Sequence, residues 1–167
     1  PEGFDGVWHV CMLPGEHRMD GAVEVLDTKG LIISGCEWQS QIVGADDEPI
    51  LIVKGSSMVR VEGLYVRARS RKGAFLFDDV SDLKVARNVV INSGEKMSEE
   101  EIAKLEKAAK AGFAGQSSRL GPVLFLHDCN EVDVLDNIFR GQPTVKARAD
   151  NLKILRNTLS GTVQIFP

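Results

Sequence analysis

The sequence has no excess of positive charge and no long hydrophobic run. It contains 20 Lys and Arg against 24 Asp and Glu, which gives a net charge of −4 and a pI near 5.4. A protein that binds the phosphates of nucleic acid needs a basic face, so we expect no nucleic-acid partner. A membrane-spanning helix needs about 18 or more apolar residues in a row, and no such run exists, so we expect no membrane span.

Cysteine and histidine are also scarce. The three cysteines cannot all pair with one another, none stands in a CxxC spacing, and the three histidines fit no zinc-binding pattern. We interpret Cys11, Cys36 and Cys129 as small apolar residues, buried or half-buried, while one disulfide plus a free thiol remains an alternative. The sequence therefore predicts no organic cofactor and no thiol chemistry. Ca²⁺ is the one ion whose binding remains an alternative.

What the sequence does contain is an internal repeat. An apolar-x-apolar-x-x-Asn-x-apolar frame occurs at 83–90, 132–139 and 152–159, and related frames without Asn start at Leu31 and Val59. In four copies a second apolar run stands upstream, starting at positions 22, 50, 74 and 123. Each unit is therefore typical of one short strand, a polar turn, a second strand and a third short apolar run.

One segment interrupts the repeat. Residues 97–112 carry a helix pattern that begins with Ser98 and Glu101, the two residues of a capping box. We predict a helix-containing insertion over 94–121, placed between two coils of a single β-helix domain that spans 1–167. Without this insertion the spacing of the repeat is about 24 residues, within the range of known solenoids.

Two kinds of solenoid use a frame of this type. Leucine-rich repeats have the pattern L-x-L-x-x-N-x-L at a similar period, but they need a helical or extended convex side. Here the run upstream of each frame is rich in β-forming residues, which a parallel β-helix explains. The sequence therefore predicts an all-β fold, a right-handed parallel β-helix solenoid of about five to six coils with one helical insertion.

Stacked coils place equivalent residues in columns. Asn88, Asn137 and Asn157 fall in one column at a turn, where we expect positive φ values and amide hydrogen bonds from coil to coil. Outward charges of alternating sign are expected to pair between coils on a solvated face rather than to line a groove. These charges form the columns Lys84–Asp133–Lys153 and Arg87–Asp136–Arg156.

With this Asn column and coil period, the chain resembles the right-handed parallel β-helix superfamily, which includes pectate lyases and many phage and bacterial surface proteins. The stretches LPGEHRM and LIISGC followed by SQIVG resemble the first coils of such bacterial domains. The resemblance covers nearly the whole chain outside 94–121. It implies the fold, whereas the function is open because this scaffold hosts lyases, hydrolases, adhesins and stalks.

The catalytic signatures of that superfamily do not carry over to this chain. The NTD, GHG and RIK segments of its polygalacturonase-like hydrolases are missing, and so are the WiDH and RxP signatures of the pectate lyases. Only Asp78-Asp79, in the stretch FDDVSD, is similar to the DD segment of the hydrolases. The resemblance therefore gives no support for either chemistry.

A polar cluster is expected where two turns stack. Asp78 and Asp79 share a register with His127 and Asp128 one coil later, so the four side chains should lie side by side. Because Asp caps turns well, we interpret them as turn residues. The alternatives are acid–base catalysis on a glycosidic bond by these four residues, or a Ca²⁺ site formed by Asp78, Asp79 and Asp128.

Aromatic residues add a possible sugar-binding surface. Trp38 and Tyr65 are the candidates for stacking on a sugar ring. Trp8 can stack in the same way, although Trp8 and Trp38 lie in the first coils and can instead seal the open end of the solenoid. The partner class that these residues predict is a polysaccharide.

These observations favour a non-catalytic β-helix scaffold or glycan-binding segment of a larger extracellular, cell-surface or particle-associated bacterial protein. The alternative is a carbohydrate-active enzyme, either a polysaccharide lyase or a glycoside hydrolase. A third class, a protein-interaction module, would use the predicted helix or an open end. Because the final TVQIFP stretch lacks a polar closing segment, we also expect a neighbouring domain or self-association through a solenoid end.

Overall fold

The computed structural model of this protein describes residues 6–93 and 121–167. Within these ranges the chain is all β and contains no helix. The helix predicted inside 94–121 lies outside the described residues. The strands are β1 Trp8–Cys11, β2 Gly15–Arg18, β3 Val23–Leu26, β4 Lys29–Ser34, β5 Ser40–Asp46, β6 Leu51–Glu62, β7 Tyr65–Arg69, β8 Phe75–Ala86, β9 Val89–Asn92, β10 Leu124–Leu135, β11 Ile138–Arg140, β12 Val145–Leu155, β13 Thr158–Leu159 and β14 Val163–Ile165.

The strands form two parallel sheets that the chain visits alternately. The first sheet has eight strands in the order β1-β4-β6-β8-β10-β12-β14, with β3 also paired to β6, and the second has six in the order β13-β11-β9-β7-β5-β2. Each inner strand thus pairs with strands of the coils before and after it, and the strands at the sheet ends and β3 pair on one side. This arrangement is a parallel β-solenoid of about five turns, which confirms the predicted fold class at this level.

The register of the coils follows the repeat of the sequence. The first apolar position of every frame lies in one column of paired strands, and the second position of each of the four upstream runs lies in another, which Val145 of the following coil continues. Both parts of the predicted repeat are therefore confirmed. The two columns are Leu31–Val59–Leu83–Val132–Leu152 and Val23–Leu51–Phe75–Leu124–Val145.

Alternation along the long strands builds the core. In β8 the side chains of Phe75, Phe77, Leu83 and Val85 are buried, while Leu76 and Lys84, each between two of them, are partly exposed. Successive side chains of a strand point to opposite faces, so the inward set of each coil stacks on that of the next. Burial of each large apolar side chain contributes roughly 1.5 to 3 kcal/mol, which makes this inward set the main source of stability.

The coil turns its corners at residues with positive φ. The long strands bend at Gly55, Asp79 and Asp128, which have φ values of 57°, 53° and 49°. A second bend follows three residues later in each strand. A third set precedes the second sheet and consists of Gly63, Arg87, Asp136 and Arg156, with φ values between 55° and 70°.

The Asn column lies inside this third corner. Asn88 Nδ2 donates to Asn137 Oδ1 at 3.1 Å, and Asn137 Nδ2 donates to Asn157 Oδ1 at 2.9 Å, which confirms the predicted amide stacking. We call these three residues the Asn ladder. The prediction that the Asn residues themselves take positive φ was wrong, because Arg87, Asp136 and Arg156 just before them do so. The preceding residue makes the bend, and this directs the Asn side chain inward.

The predicted charge columns form in part. Asp133 lies in register with both Lys84 and Lys153, and the Lys153 ammonium is 3.6 Å from its carboxylate. Asp136 and Arg156 form an ion pair with a closest approach of 2.6 Å. Arg87 binds Glu62 of the preceding coil at 2.8 Å instead of completing the second ladder. Outward charges thus pair between neighbouring coils, as expected.

The two ends of the solenoid carry most of the exposed apolar surface. In the described part of the chain, the strongly exposed large apolar side chains other than Trp38 and Met58 all lie in the first or last coil. Leu13 and Ile165, for example, are 69% and 61% exposed. Self-association through these ends remains a prediction. The described residues include no helix long and apolar enough to cross a membrane.

Candidate functional site

The predicted polar cluster lies at the first bend of the long strands. Strand pairing places Asp78 directly beside His127, and Asp79 and Asp128 take the positive φ values of the bend in their respective coils. Asp tolerates this left-handed conformation better than most residues, which explains its choice at these positions. Asp79 and Asp128 therefore act as turn residues.

The side chains at this bend form an ion-pair network, which we call the ionic cluster. His127 Nδ1 is 2.8 Å from Asp78 Oδ1 and 3.7 Å from Asp128 Oδ2. Arg148 of the next coil approaches Asp128 with its Nε 3.2 Å from Oδ1. The four side chains are between 42% and 57% exposed, so solvent screens the interactions. Asp79 is exposed, and no ion pair in the described residues includes it.

The ionic cluster does not have the geometry of a metal centre. Among the described residues, no three His, Cys, Asp or Glu side chains converge closely enough to hold a metal ion. A Ca²⁺ ion takes six to eight oxygen ligands, whereas Asp128 is already paired with a cation and Asp78 with an imidazole. The geometry gives no support to a Ca²⁺ site at Asp78, Asp79 and Asp128.

An aromatic residue borders the ionic cluster on the outer face of the first sheet. Phe125 stacks on His127 with 6.2 Å between ring centroids and a 19° interplanar angle. The Lys146 ammonium lies 5.6 Å from the centroid of Phe125 and 5.5 Å from that of Phe166. Phe125 therefore packs against the face of the His127 ring, and Lys146 in turn links Phe125 to Phe166. Sequence reasoning missed Phe125, Lys146 and Arg148, because their role comes from the neighbouring coils.

Burial separates the two aromatic candidates for sugar stacking. Trp38 is 46% exposed and lies at the corner between β4 and β5. Tyr65 points out of the second sheet in register with Gln41 and Val89, yet only 7% of its surface is exposed. A sugar ring needs an open aromatic face, so Trp38 is the candidate with accessible surface.

The Asn ladder is extensively hydrogen-bonded. Asn137 Oδ1 accepts hydrogen bonds from the backbone N and the side-chain Nδ2 of Asn88, and its own Nδ2 donates to Val85 O at 2.8 Å. Asn88 and Asn137 are 0% and 1% exposed. Buried polar groups must be paired to avoid a large cost, so these residues support the fold and do not form a binding site.

A further buried amide was missed by the sequence analysis. Asn92 is 1% exposed, accepts a hydrogen bond from Ser70 N at 2.9 Å, and donates to Ser70 O and Gly121 O at 2.9 and 3.0 Å. It joins the chain on the two sides of 94–120. No other coil has an Asn at the equivalent position, so the repeat pattern did not predict this buried amide.

Cys129 is a buried thiol beneath the ionic cluster. Its Sγ lies 3.5 Å from Phe77 O and 3.4 Å from His127 O, and its single proton is donated to one of these two carbonyls. Burial raises the pKa of this thiol, which keeps it protonated and unreactive at neutral pH. All three cysteines are free, with Cys11 exposed and Cys36 half-buried. Cys129 and Cys36 therefore match the interpretation of buried or half-buried residues, whereas that interpretation was wrong for Cys11 because its side chain is exposed.

Comparison with known proteins identifies no relative of this chain. No protein-family model, no curated protein and no solved structure matches it.

Proposed function

We propose that this chain is a non-catalytic scaffold segment of a larger extracellular or particle-associated protein, and that it binds glycans on its outer surface. The proposal includes a right-handed coil and membership of the pectate-lyase-like β-helix superfamily. The in-register stacking of the Asn ladder and of the apolar columns supports the structural part. The glycan part is supported by the exposed Trp38, which lies at the corner that also carries the Arg87–Glu62 and Arg156–Asp136 ion pairs.

The main support for a non-catalytic function is that the carboxylates of the cluster form contacts between neighbouring coils or make the bend. Asp128 pairs with Arg148, Asp78 pairs with His127, and Asp79 and Asp128 form the bend itself. An acid–base pair for glycosidic cleavage needs two carboxyl groups that face a common substrate. Because these carboxylates connect neighbouring coils, their structural role is enough to explain why they are present, and catalysis is not needed as an explanation.

A binding and cleavage screen tests this function. The parent chain is applied to a glycan array with and without Ca²⁺, and it is incubated with polygalacturonate and neutral polysaccharides while reducing ends are counted. We expect binding to at least one glycan, no dependence on Ca²⁺ and no cleavage. A variant with Asp78, Asp79, His127 and Asp128 all changed to Ala should keep the affinity. Failure of the parent to bind any glycan would refute the glycan part.

The second candidate function is a carbohydrate-active enzyme, and one contact favours it. Asp78 holds His127 Nδ1 at 2.8 Å, an arrangement that fixes the imidazole and directs Nε2 away as a base. The same incubation distinguishes the two functions. Cleavage of a polysaccharide by the parent, lost in folded Asp128→Ala and His127→Ala variants, would establish the enzyme and exclude the scaffold.

A further inference from the structure

Trp38 occupies a backbone position that normally belongs to glycine. Gln39 N donates to Cys36 O at 2.8 Å and closes a four-residue turn, whose central residues Glu37 and Trp38 have φ values of 43° and 71°. Two positive φ values define a type I′ turn, which strongly prefers Asn-Gly at these positions. A bulky aromatic residue in this conformation is a true outlier. Local backbone preference therefore does not explain why Trp stands here.

The surrounding coils hold the Trp38 side chain in a fixed position. Its backbone N donates to Gly63 O at 3.0 Å, and its indole Nε1 donates to Arg87 O at 2.6 Å, two coils along the solenoid. The corner approaches its neighbour so closely that a Cβ on Gly35 would lie 2.5 Å from Gly63 O. Even so, Trp38 remains 46% exposed. The ring is thus both immobilised and open to solvent.

Strain, anchoring and exposure together point to a ligand. Backbone strain persists where a residue serves a purpose other than folding, and it is often found at binding sites. A Trp that only sealed the coil would be largely buried, since its stabilising effect comes from removing apolar surface from water. A rigid aromatic face loses little entropy when a ligand packs on it.

The residues around Trp38 indicate the chemistry of that ligand. Arg87, whose carbonyl accepts the hydrogen bond from the indole, pairs through its side chain with Glu62 at 2.8 Å, and Asp136 with Arg156 continues the same corner in the following coils. A pyranose ring offers a face of C–H groups that packs on an indole and a rim of hydroxyl groups that bond to such side chains. Both arginines are already paired with carboxylates, so this corner favours an uncharged sugar over a uronic acid.

We propose that Trp38 is the stacking platform of a binding site for neutral glycans, formed with Glu62 and Arg87. This inference rests on the proposed glycan-binding function and assigns it a residue and a substrate class. The site lies at the third corner of the coil and includes no residue of the ionic cluster.

The test uses defined oligosaccharides. Cellohexaose, chitohexaose and hexagalacturonate are titrated into a Trp8→Phe chain, in which Trp38 is the remaining tryptophan, while its fluorescence and the heat of binding are measured. We expect at least one neutral hexasaccharide to bind and to shift the Trp38 emission. We expect hexagalacturonate to bind more weakly. Tighter binding of hexagalacturonate would contradict the neutral class.

Two glycine substitutions then separate binding from folding. Trp38→Gly should weaken the neutral ligand at least tenfold while the melting temperature stays similar, because Gly suits the positive φ. Met58→Gly is the matched control, since Met58 is also exposed, at 44%, and also has a positive φ, 56°. This control should leave binding unchanged.

The outcomes distinguish this inference from the broader function. If the parent binds a neutral hexasaccharide and Trp38→Gly binds it equally well, the platform is refuted while glycan binding stands. If the parent binds none of the three probes, the site does not exist. Trp38→Asn, which also tolerates positive φ, is the second variant. Loss of folding in both variants would show that Trp38 is structural and would overturn the inference.

Discussion

The Asn ladder and the ionic cluster are both polar columns that recur at a bend of the coil, but they differ in burial. Asn88 and Asn137 are 0% and 1% exposed, whereas the cluster side chains are between 42% and 57% exposed. A buried polar group without a partner costs about 1 to 3 kcal/mol, while water replaces a lost partner at the surface. The same repeat thus produces one column that stabilises the fold and another that can change at little cost.

Asn137→Ala should have the largest effect on stability. The change leaves the backbone N of Asn88 and the carbonyl of Val85 buried without their present partners. We expect the free energy of unfolding to fall by roughly 2 to 5 kcal/mol in urea titrations. Asn157→Ala is the matched control, because Asn157 lies in the last coil and is only half-buried. Equal and small losses in both variants would contradict the ladder.

Asp136 directly precedes Asn137 of the Asn ladder in the chain, but its side chain lies on the surface. Hydrogen bonds from Arg156 hold the pKa of Asp136 below its ordinary value, and the charges of Arg87 and Lys84 act in the same direction. A carboxyl pKa that is lower in the folded state stabilises the fold above the unfolded pKa, and this stabilisation is lost as the pH falls through the folded pKa.

Asp136→Asn should therefore reduce the pH dependence of stability in the acid range. We expect the parent to lose more unfolding free energy than the variant as the pH drops below about 4, the ordinary value for Asp. Urea titrations at several acid pH values measure this. Identical pH profiles for parent and variant would show that the Arg156 pair does not contribute.

Changes in the ionic cluster should be small and sensitive to salt. Asp78→Ala removes a contact between side chains that are 47% and 42% exposed, so we expect a loss of about 0 to 1 kcal/mol. Asp128→Asn removes the charge that pairs with Arg148, and its small cost should shrink further at about 1 M salt, where the Debye length is roughly 3 Å. A loss comparable to that of Asn137→Ala, unchanged by salt, would mean that both columns are structural.

Removing the segment between β9 and β10 should have the smallest effect. Strands β8 and β10 pair directly, so the coils on either side already stack on one another. Replacing residues 95–120 by a short Gly-Ser linker should keep one cooperative thermal transition, since loop length changes closure entropy only slowly. Asn92→Ala should destabilise the chain more, because its amide joins Ser70 to Gly121. Loss of cooperative unfolding in the shortened chain would contradict this.

The register was the most predictable part of the fold. The apolar alternation from Leu83 to Val85 recurs at Val132 and again at Leu152, and only stacking in register buries all of these positions together. The contact between Asp78 and His127 followed from the same register. Residues that recur at a fixed offset carry enough information to predict their neighbours, even 49 positions apart in the chain.

Other features could not be read from the repeat. The shift of positive φ from Asn88 to Arg87 depends on the direction of the inward amide, which composition does not specify. Three residues around the ionic cluster do not recur at equivalent positions of other coils, so their contacts with the cluster and with one another were not predicted. These residues are Phe125, Lys146 and Arg148. The burial of Tyr65 also escaped prediction, because strand alternation places it on an outer face.

The sequence by itself determined the parallel stacking, the register and the Asn ladder, because side-chain alternation and a constant repeat act through local and neighbouring contacts. Only the tertiary structure decided which outer side chains are open. Trp38 reaches the carbonyl of Arg87 across two coils, and Tyr65 is buried while Trp38 is exposed. Exposure depends on how much of each residue the distant parts of the chain cover, and a sequence pattern does not contain this information.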